Sequence, residues 1–259
     1  MIIPRGKYDL HVHTSFCDGK NTAEEMAEAA LAAGIDTLGF SGHSYTSFDG
    51  GYCMSPEATE LYRAEALRLR EKYKGRLNIL LGVEQDIFAD YPATGFDYVI
   101  GSVHYFKIDG RFFPVDKSAA VQRAVANEYF GGDMIGLACL YFEEASRAVE
   151  ATGADIVGHF DLITKFNEGG ALFDESDPRY VDAWQRAALR LLDSGALFEI
   201  NTGAITRGYR TSPYPSAAIR AFLREHGAKF VFSSDSHRKD SLLYGWDGLF
   251  GEFEYRPLR

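Results

Sequence analysis

Tyr8-Asp9-Leu10-His11-Val12-His13 is the stretch on which the reading of this chain turns. An extended run points successive side chains to opposite faces, so His11 and His13 are aimed at one point while Leu10 and Val12 pack behind them. On its own, a His-x-His pair is more often a core or surface feature than a metal site. Its weight here comes from what the rest of the chain repeats.

Moving outward, short apolar runs alternate with helical patterns. Thr22-Ala23-Glu24-Glu25 is a capping box opening a helix through Met26, Ala29, Ala30 and Ala33 to Gly34. Thr37-Leu38-Gly39-Phe40-Ser41-Gly42-His43 is a strand with a histidine at its end, and Ser55-Pro56 starts a second helix that closes near Gly75. Ile79-Leu80-Leu81-Gly82-Val83-Glu84 ends in a carboxylate, and Tyr98-Val99-Ile100-Gly101-Ser102-Val103-His104 in a histidine. Residues 118–152 read as one long or two consecutive helices, with a break at Gly131-Gly132. Ile156-Val157-Gly158-His159 follows, then a helix from Pro178, the strand Leu197-Phe198-Glu199-Ile200-Asn201 and a helix from Pro215 to His226. The last strand, Lys229-Phe230-Val231-Phe232-Ser233-Ser234, leads into Asp235-Ser236-His237.

Strands separated by helices favour a parallel sheet, and closure into a barrel puts every strand end at one rim. Six of the seven strands end in a histidine or a carboxylate. One such residue is readily a satisfied core group; the set His11, His13, His43, Glu84, His104, His159, Asp235 and His237 points to a metal centre. His226 falls in the last turn of a helix and is left out.

Composition bounds the function. With 46% hydrophobic and 25% charged residues the chain is globular, and 259 residues suit one barrel domain spanning 1–259. The 27 Lys and Arg against 37 Asp and Glu leave a charge of −10, which argues against a nucleic-acid partner. Three widely spaced cysteines read as reduced thiols, and there is neither a signal core nor an apolar run of about 18 residues. The expectation is a cytoplasmic protein with no membrane partner.

Through Asp9-Leu10-His11-Val12-His13-Thr14, Gly42-His43, Gly82-Val83-Glu84, Gly101-Ser102-Val103-His104, Gly158-His159-Phe160-Asp161-Leu162-Ile163 and Ser234-Asp235-Ser236-His237, the chain resembles the PHP family, named for polymerase and histidinol phosphatase, over nearly its whole length. Within that family, the Glu199-Ile200-Asn201-Thr202-Gly203 strand end and the Pro213-Tyr214-Pro215-Ser216 turn are similar to those of histidinol-phosphate phosphatases. The resemblance implies an α/β fold, a distorted seven-stranded (β/α)7 barrel like a TIM barrel, holding two or three divalent metals.

Carried over by position, the resemblance places His11, His13, Glu84 and Asp235 on one metal, Glu84, His104 and His159 on a second, and Asp18, His43 and His237 on a third. At Asp18 the family also uses histidine, and a solvated loop aspartate is the competing reading there. The chain after His237 is shorter than the family pattern and shows no clear closing helix or strand. Imidazole and carboxylate donors suit zinc, manganese or iron.

The implied reaction is hydrolysis of L-histidinol phosphate, a small phosphorylated metabolite, by a metal-bridging hydroxide at Glu84. Asp235 and His237 are candidate proton donors, Lys165 and Arg207 the phosphate grip, and Asp161 a carboxylate that orients a ligating imidazole. Two other readings compete: a phosphoesterase acting on nucleotides or nucleic-acid ends, against which the acidic balance weighs, and a non-catalytic metal-stabilised binding module, which would tolerate losses among its ligands.

Overall fold

The helices of ten residues or more begin at side-chain caps. The computed structural model describes residues 3–257. In chain order its elements are β1 (Tyr8–Val12), α1 (Ala23–Ala32), β2 (Thr37–Phe40), α2 (Pro56–Lys72), β3 (Asn78–Asp86), β4 (Tyr98–Ser102), β5 (Tyr105–Ile108), β6 (Arg111–Pro114), α3 (Ala119–Phe130), α4 (Met134–Ala145), α5 (Ala148–Thr152), β7 (Ile156–Val157), α6 (Pro178–Leu192), β8 (Leu197–Asn201), α7 (Gly203–Thr206), α8 (Ala217–Glu225), β9 (Phe230–Ser233) and α9 (Trp246–Leu249). The Thr22 side chain accepts from Glu25 N, and Glu25 Oε2 accepts from Thr22 N at 2.8 Å, the reciprocal pair of a capping box. Ser55 caps α2 ahead of Pro56, and Asp177 caps α6 ahead of Pro178. The break at Gly131-Gly132 falls where expected, but residues 118–152 hold three helices, because α4 stops at Ala145 and a short α5 follows.

Seven parallel strands form one sheet in the order β1-β2-β3-β4-β7-β8-β9, the α/β barrel expected of the alternation. Tyr98 on β4 fills its interior below the rim: its hydroxyl donates to Leu10 O at 2.5 Å and Phe40 O at 3.1 Å. A Cβ at Gly39 or Gly82 would come within 2.3 or 2.2 Å of this side chain, so these strand glycines make room for it.

Three features depart from the sequence reading. First, Leu10 and Val12 do not pack together. Asp9 pairs with Leu38 and Val12 with Phe40, so β1 carries one extra residue against β2. This bulge sends Leu10 into the cluster around Tyr98 and Val12 into the cluster of α1 and α2, while His11 and His13 still meet. Second, β5 and β6 form an antiparallel hairpin outside the barrel. Its signal was Asp109-Gly110 between apolar runs; both residues have positive φ, the geometry of a tight hairpin turn.

Third, the short terminal segment does complete the barrel. β1 and β9 meet at the rim through Ser236, whose N–H donates to His11 O at 3.0 Å while its carbonyl accepts from His13 N at 2.9 Å. Below, residues 254–256 fill the seam: Glu254 N donates to Phe230 O at 2.8 Å and Gly6 N to Arg256 O at 2.7 Å. The Tyr8 hydroxyl donates to Glu254 O at 2.6 Å and accepts from Phe232 N at 3.3 Å, and its ring packs on Trp246 and Phe253. Among the described residues no helix is long and apolar enough to cross a membrane.

Candidate metal centre

All nine expected metal-facing residues converge at the carboxyl-terminal rim, buried except Asp18 and His237, which are half-buried. His11 Nε2 lies 3.1 Å from Glu84 Oε2, and His13 Nε2 lies 3.5 Å from the same oxygen. Asp235 Oδ1 is 3.8 Å from His11 Nε2 and 3.4 Å from His13 Nε2. His11 Nε2, His13 Nε2 and Glu84 Oε2 are buried without a hydrogen-bond partner. Leaving three such atoms unsatisfied is costly, whereas donors sharing one ion at about 2.0–2.2 Å stand roughly 3–4 Å apart. The residues present therefore fit a metal.

A second set surrounds the other Glu84 oxygen. Oε1 lies 2.8 Å from His159 Nε2 and 3.2 Å from His104 Nε2, and accepts from Ser102 Oγ at 2.7 Å. Asp18 joins the third set: its Oδ2 lies 3.3 Å from His237 Nε2, and its Oδ1 is 3.7 Å from His43 Nε2. His43 also turns Nδ1 to Glu84 Oε2 at 2.9 Å, so it stands between the third set and Glu84.

The charges of the cluster shift one another. Burial alone would raise Glu84, but the imidazoles of His11, His43 and His104 hold it well below the usual carboxylate range. Burial and the neighbouring His237 and His43 lower His13 to about 3, leaving it neutral as ligation requires. Burial lowers His11 and His104 too, yet the facing carboxylates outweigh it and raise both well above the ordinary histidine value.

Behind these groups lie carboxylates that the sequence reading assigned no role. Glu199 on β8 places Oε1 2.5 Å from His11 Nδ1, and its Oε2 accepts from His159 N at 2.8 Å and Asn201 Nδ2 at 3.0 Å. One buried carboxylate thus ties the first set to the second. Asp86 Oδ2 accepts from His104 N at 2.8 Å and lies 3.1 Å from His104 Nδ1. Carboxylates in these positions set the ring orientation and tautomer of a ligating imidazole. For Asp86 a signal was available: it follows Glu84 by two on a strand and shares its face. Asp161, expected in this role, does not fill it; its Oδ2 accepts from Ser216 N at 2.9 Å, in a turn.

Asp235 is aimed by its backbone. Its φ of 49° is left-handed, a conformation aspartate tolerates at modest cost and one that recurs at functional sites. Arg207 holds the carboxylate, NH2 donating to Oδ2 at 2.8 Å. A Cβ at Gly203 would sit 2.7 Å from both Arg207 NH2 and Asp235 Oδ2, so that glycine leaves space for the pair.

Residues 9–203 match the family model described as PHP domain. The chain belongs to the PHP domain family. It is 32% identical over 254 residues to a probable histidinol-phosphatase of Deinococcus radiodurans, with 90% of this chain and 87% of that protein covered. The crystal structure of HisK from Listeria monocytogenes superposes with a TM-score of 0.79 at 23% identity, covering 93% of this chain and 99% of that one. That of HisK from Lactococcus lactis, complexed with zinc, L-histidinol and phosphate, gives 0.68 at 19% identity over 98% and 96% of the two chains. At these identities the two structures establish the shared barrel.

The PHP rim opens into a cavity of about 540 Å³. Lys165 and Arg207 both line it, as do Tyr52 and Tyr105, the latter at the foot of the hairpin. Lys165, largely buried, reaches Asp116 Oδ2 at 2.9 Å. Arg207 also donates to Asp235 O at 3.3 Å and lies 3.0 Å from His237 Nδ1. Neither cation is a loose surface charge.

Proposed function

We propose that this PHP protein is a metal-dependent phosphomonoester hydrolase that converts L-histidinol phosphate and water to L-histidinol and phosphate. The observation that carries the metal-dependent chemistry is the convergence of unsatisfied His11, His13 and Glu84 donor atoms beside a cavity that also exposes Lys165 and Arg207. The relatives carry the substrate: the Deinococcus protein bears the histidinol-phosphatase name, and the Lactococcus enzyme was crystallised with L-histidinol and phosphate.

In this reading His11, His13, Glu84 and Asp235 hold one ion, Glu84, His104 and His159 a second, and Asp18, His43 and His237 a third. Zinc, manganese or iron bound there supplies Lewis acidity and an acidic water at neutral pH. Glu84 brings its two oxygens to different donor sets, and Glu199 and Asp86 hold the imidazoles in register. Lys165 and Arg207 face the nonbridging phosphate oxygens, where charge grows as phosphorus is attacked. The leaving alkoxide needs a proton, and His237, half-buried at the cavity edge, and Asp235 are the candidates to relay it from the attacking water.

The test is turnover of a panel of phosphate esters by metal-replete protein. L-histidinol phosphate is expected to give a higher kcat/KM than nucleoside monophosphates or bis(p-nitrophenyl) phosphate, and Lys165→Met to lower it about ten- to a hundredfold. Preference for a nucleotide or diester would move the protein to another phosphoesterase class, and an unimpaired Lys165→Met would remove the proposed grip.

A further inference from the structure

The cavity holds two carboxylates that belong to none of the metal-facing sets, Asp49 and Asp116. They differ in what they have left to offer. Asp49 uses both oxygens in the wall, Oδ2 accepting from the Tyr105 hydroxyl at 2.8 Å and Oδ1 from Gly51 N at 3.3 Å. Asp116 uses one: Oδ2 accepts from Lys165 Nζ at 2.9 Å, and the same ammonium donates to the Asp116 carbonyl at 3.0 Å. Among the described residues nothing donates to Oδ1, and the side chain is 35% exposed in the cavity wall.

Lys165 has three N–H donors and spends two on Asp116. The third can meet a phosphate oxygen without releasing the carboxylate. A phosphate gripped by Lys165 therefore has an anionic oxygen beside it that is still short of a donor.

We propose that Asp116 is a specificity-determining residue that receives the ammonium of the substrate, so that the enzyme selects phosphate monoesters of 2-amino alcohols. This rests on the histidinol-phosphate reading and adds the group that reads the amine. Charges then alternate along the wall: phosphate, Lys165, Asp116, substrate ammonium. Reach favours Asp116. An amine two carbons from the ester oxygen stays close to the phosphate, Asp116 touches Lys165, and the other carboxylate outside the metal-facing sets, Asp49, has both oxygens engaged. Selection also works by exclusion, since an apolar or anionic group placed there would desolvate the carboxylate and return no bond.

The experiment compares kcat/KM for L-histidinol phosphate and its des-amino analogue, with manganese-loaded wild-type enzyme and Asp116→Asn. The wild type is expected to prefer the amine about ten- to a hundredfold, the value of a charge-assisted hydrogen bond, and Asp116→Asn to bring the ratio to within about threefold of one. A variant that keeps the wild-type ratio, or a wild type that does not distinguish the two esters, overturns the proposal while leaving the phosphatase reading intact. A wild type that hydrolyses neither ester overturns both. The melting curve reports folding; should Asp116→Asn fail to fold, Asp116→Ser is read by the same ratio.

Discussion

Glu84 shows how much of this centre rests on one side chain. It is buried, Oε2 faces His11, His13 and His43, and Oε1 faces His104 and His159. An amide has one oxygen and a pair of N–H donors, so Glu84→Gln loses the charge and one of two acceptors at the meeting point of the sets. This variant is expected to keep the wild-type circular dichroism spectrum while its metal content falls and turnover is abolished. Turnover near the wild-type rate would place the chemistry elsewhere. The residue type and position of Glu84 were legible in the sequence, as were those of the histidines, because each sits at the end of a recognisable strand. Glu199 was not legible as a partner, because a carboxylate on β8 meets His11 on β1 only after the barrel rolls up, whereas Asp86 could have been read from its place two residues after Glu84.

At the scale of elements, the seam between β1 and β9 is the part of the barrel that no regular ladder closes below the rim. Side chains and the terminal segment close it, the Tyr8 hydroxyl being bonded on both sides. Tyr8→Phe keeps the ring against Trp246 and Phe253 but leaves a buried amide and a carbonyl short of a partner, at a cost of about 1–3 kcal/mol. For a chain of this size that is a fall in melting temperature of roughly 3–10 °C, measurable by calorimetry. An unchanged melting temperature would mean that the seam contributes nothing. The chain beyond His237 offered little to sequence reading, because the residues 254–256 that pair with Phe230 and Gly6 carry no strand periodicity and take their extended form from the gap they enter.

For the whole molecule, metal and stability are linked. His11 Nε2, His13 Nε2 and Glu84 Oε2 are buried with no hydrogen-bond partner, so ions that bind them in the folded chain stabilise it by mass action. Purified protein is expected to carry at least two transition metals per chain by elemental analysis. Stripping them with a chelator should lower the melting temperature by about 5–10 °C, taking an ion present at about a hundred times its dissociation constant. Protein that hydrolyses esters with no metal by elemental analysis would refute this. The pH dependence has a definite sign. His11 and His104, raised by their carboxylates, hold protons that metal must displace, so affinity falls as pH falls through their folded-state values, and calorimetry in buffers of different ionisation enthalpy should register proton release.

The amino-acid sequence by itself determined the alternation of strands and helices, the helix starts at Thr22, Ser55 and Pro178, and the histidines and carboxylates that converge at the rim, because caps, periodicity and strand ends are local and act within a few residues. Only the tertiary structure decided the rest. It placed one extra residue in β1 so that Leu10 and Val12 part while His11 and His13 meet, joined Glu199 to two histidines from different strands, and set Asp116 beside Lys165. These are contacts between residues far apart in the chain, fixed by closure of the barrel and by the need of each buried polar group for a partner, and no local stretch contains them.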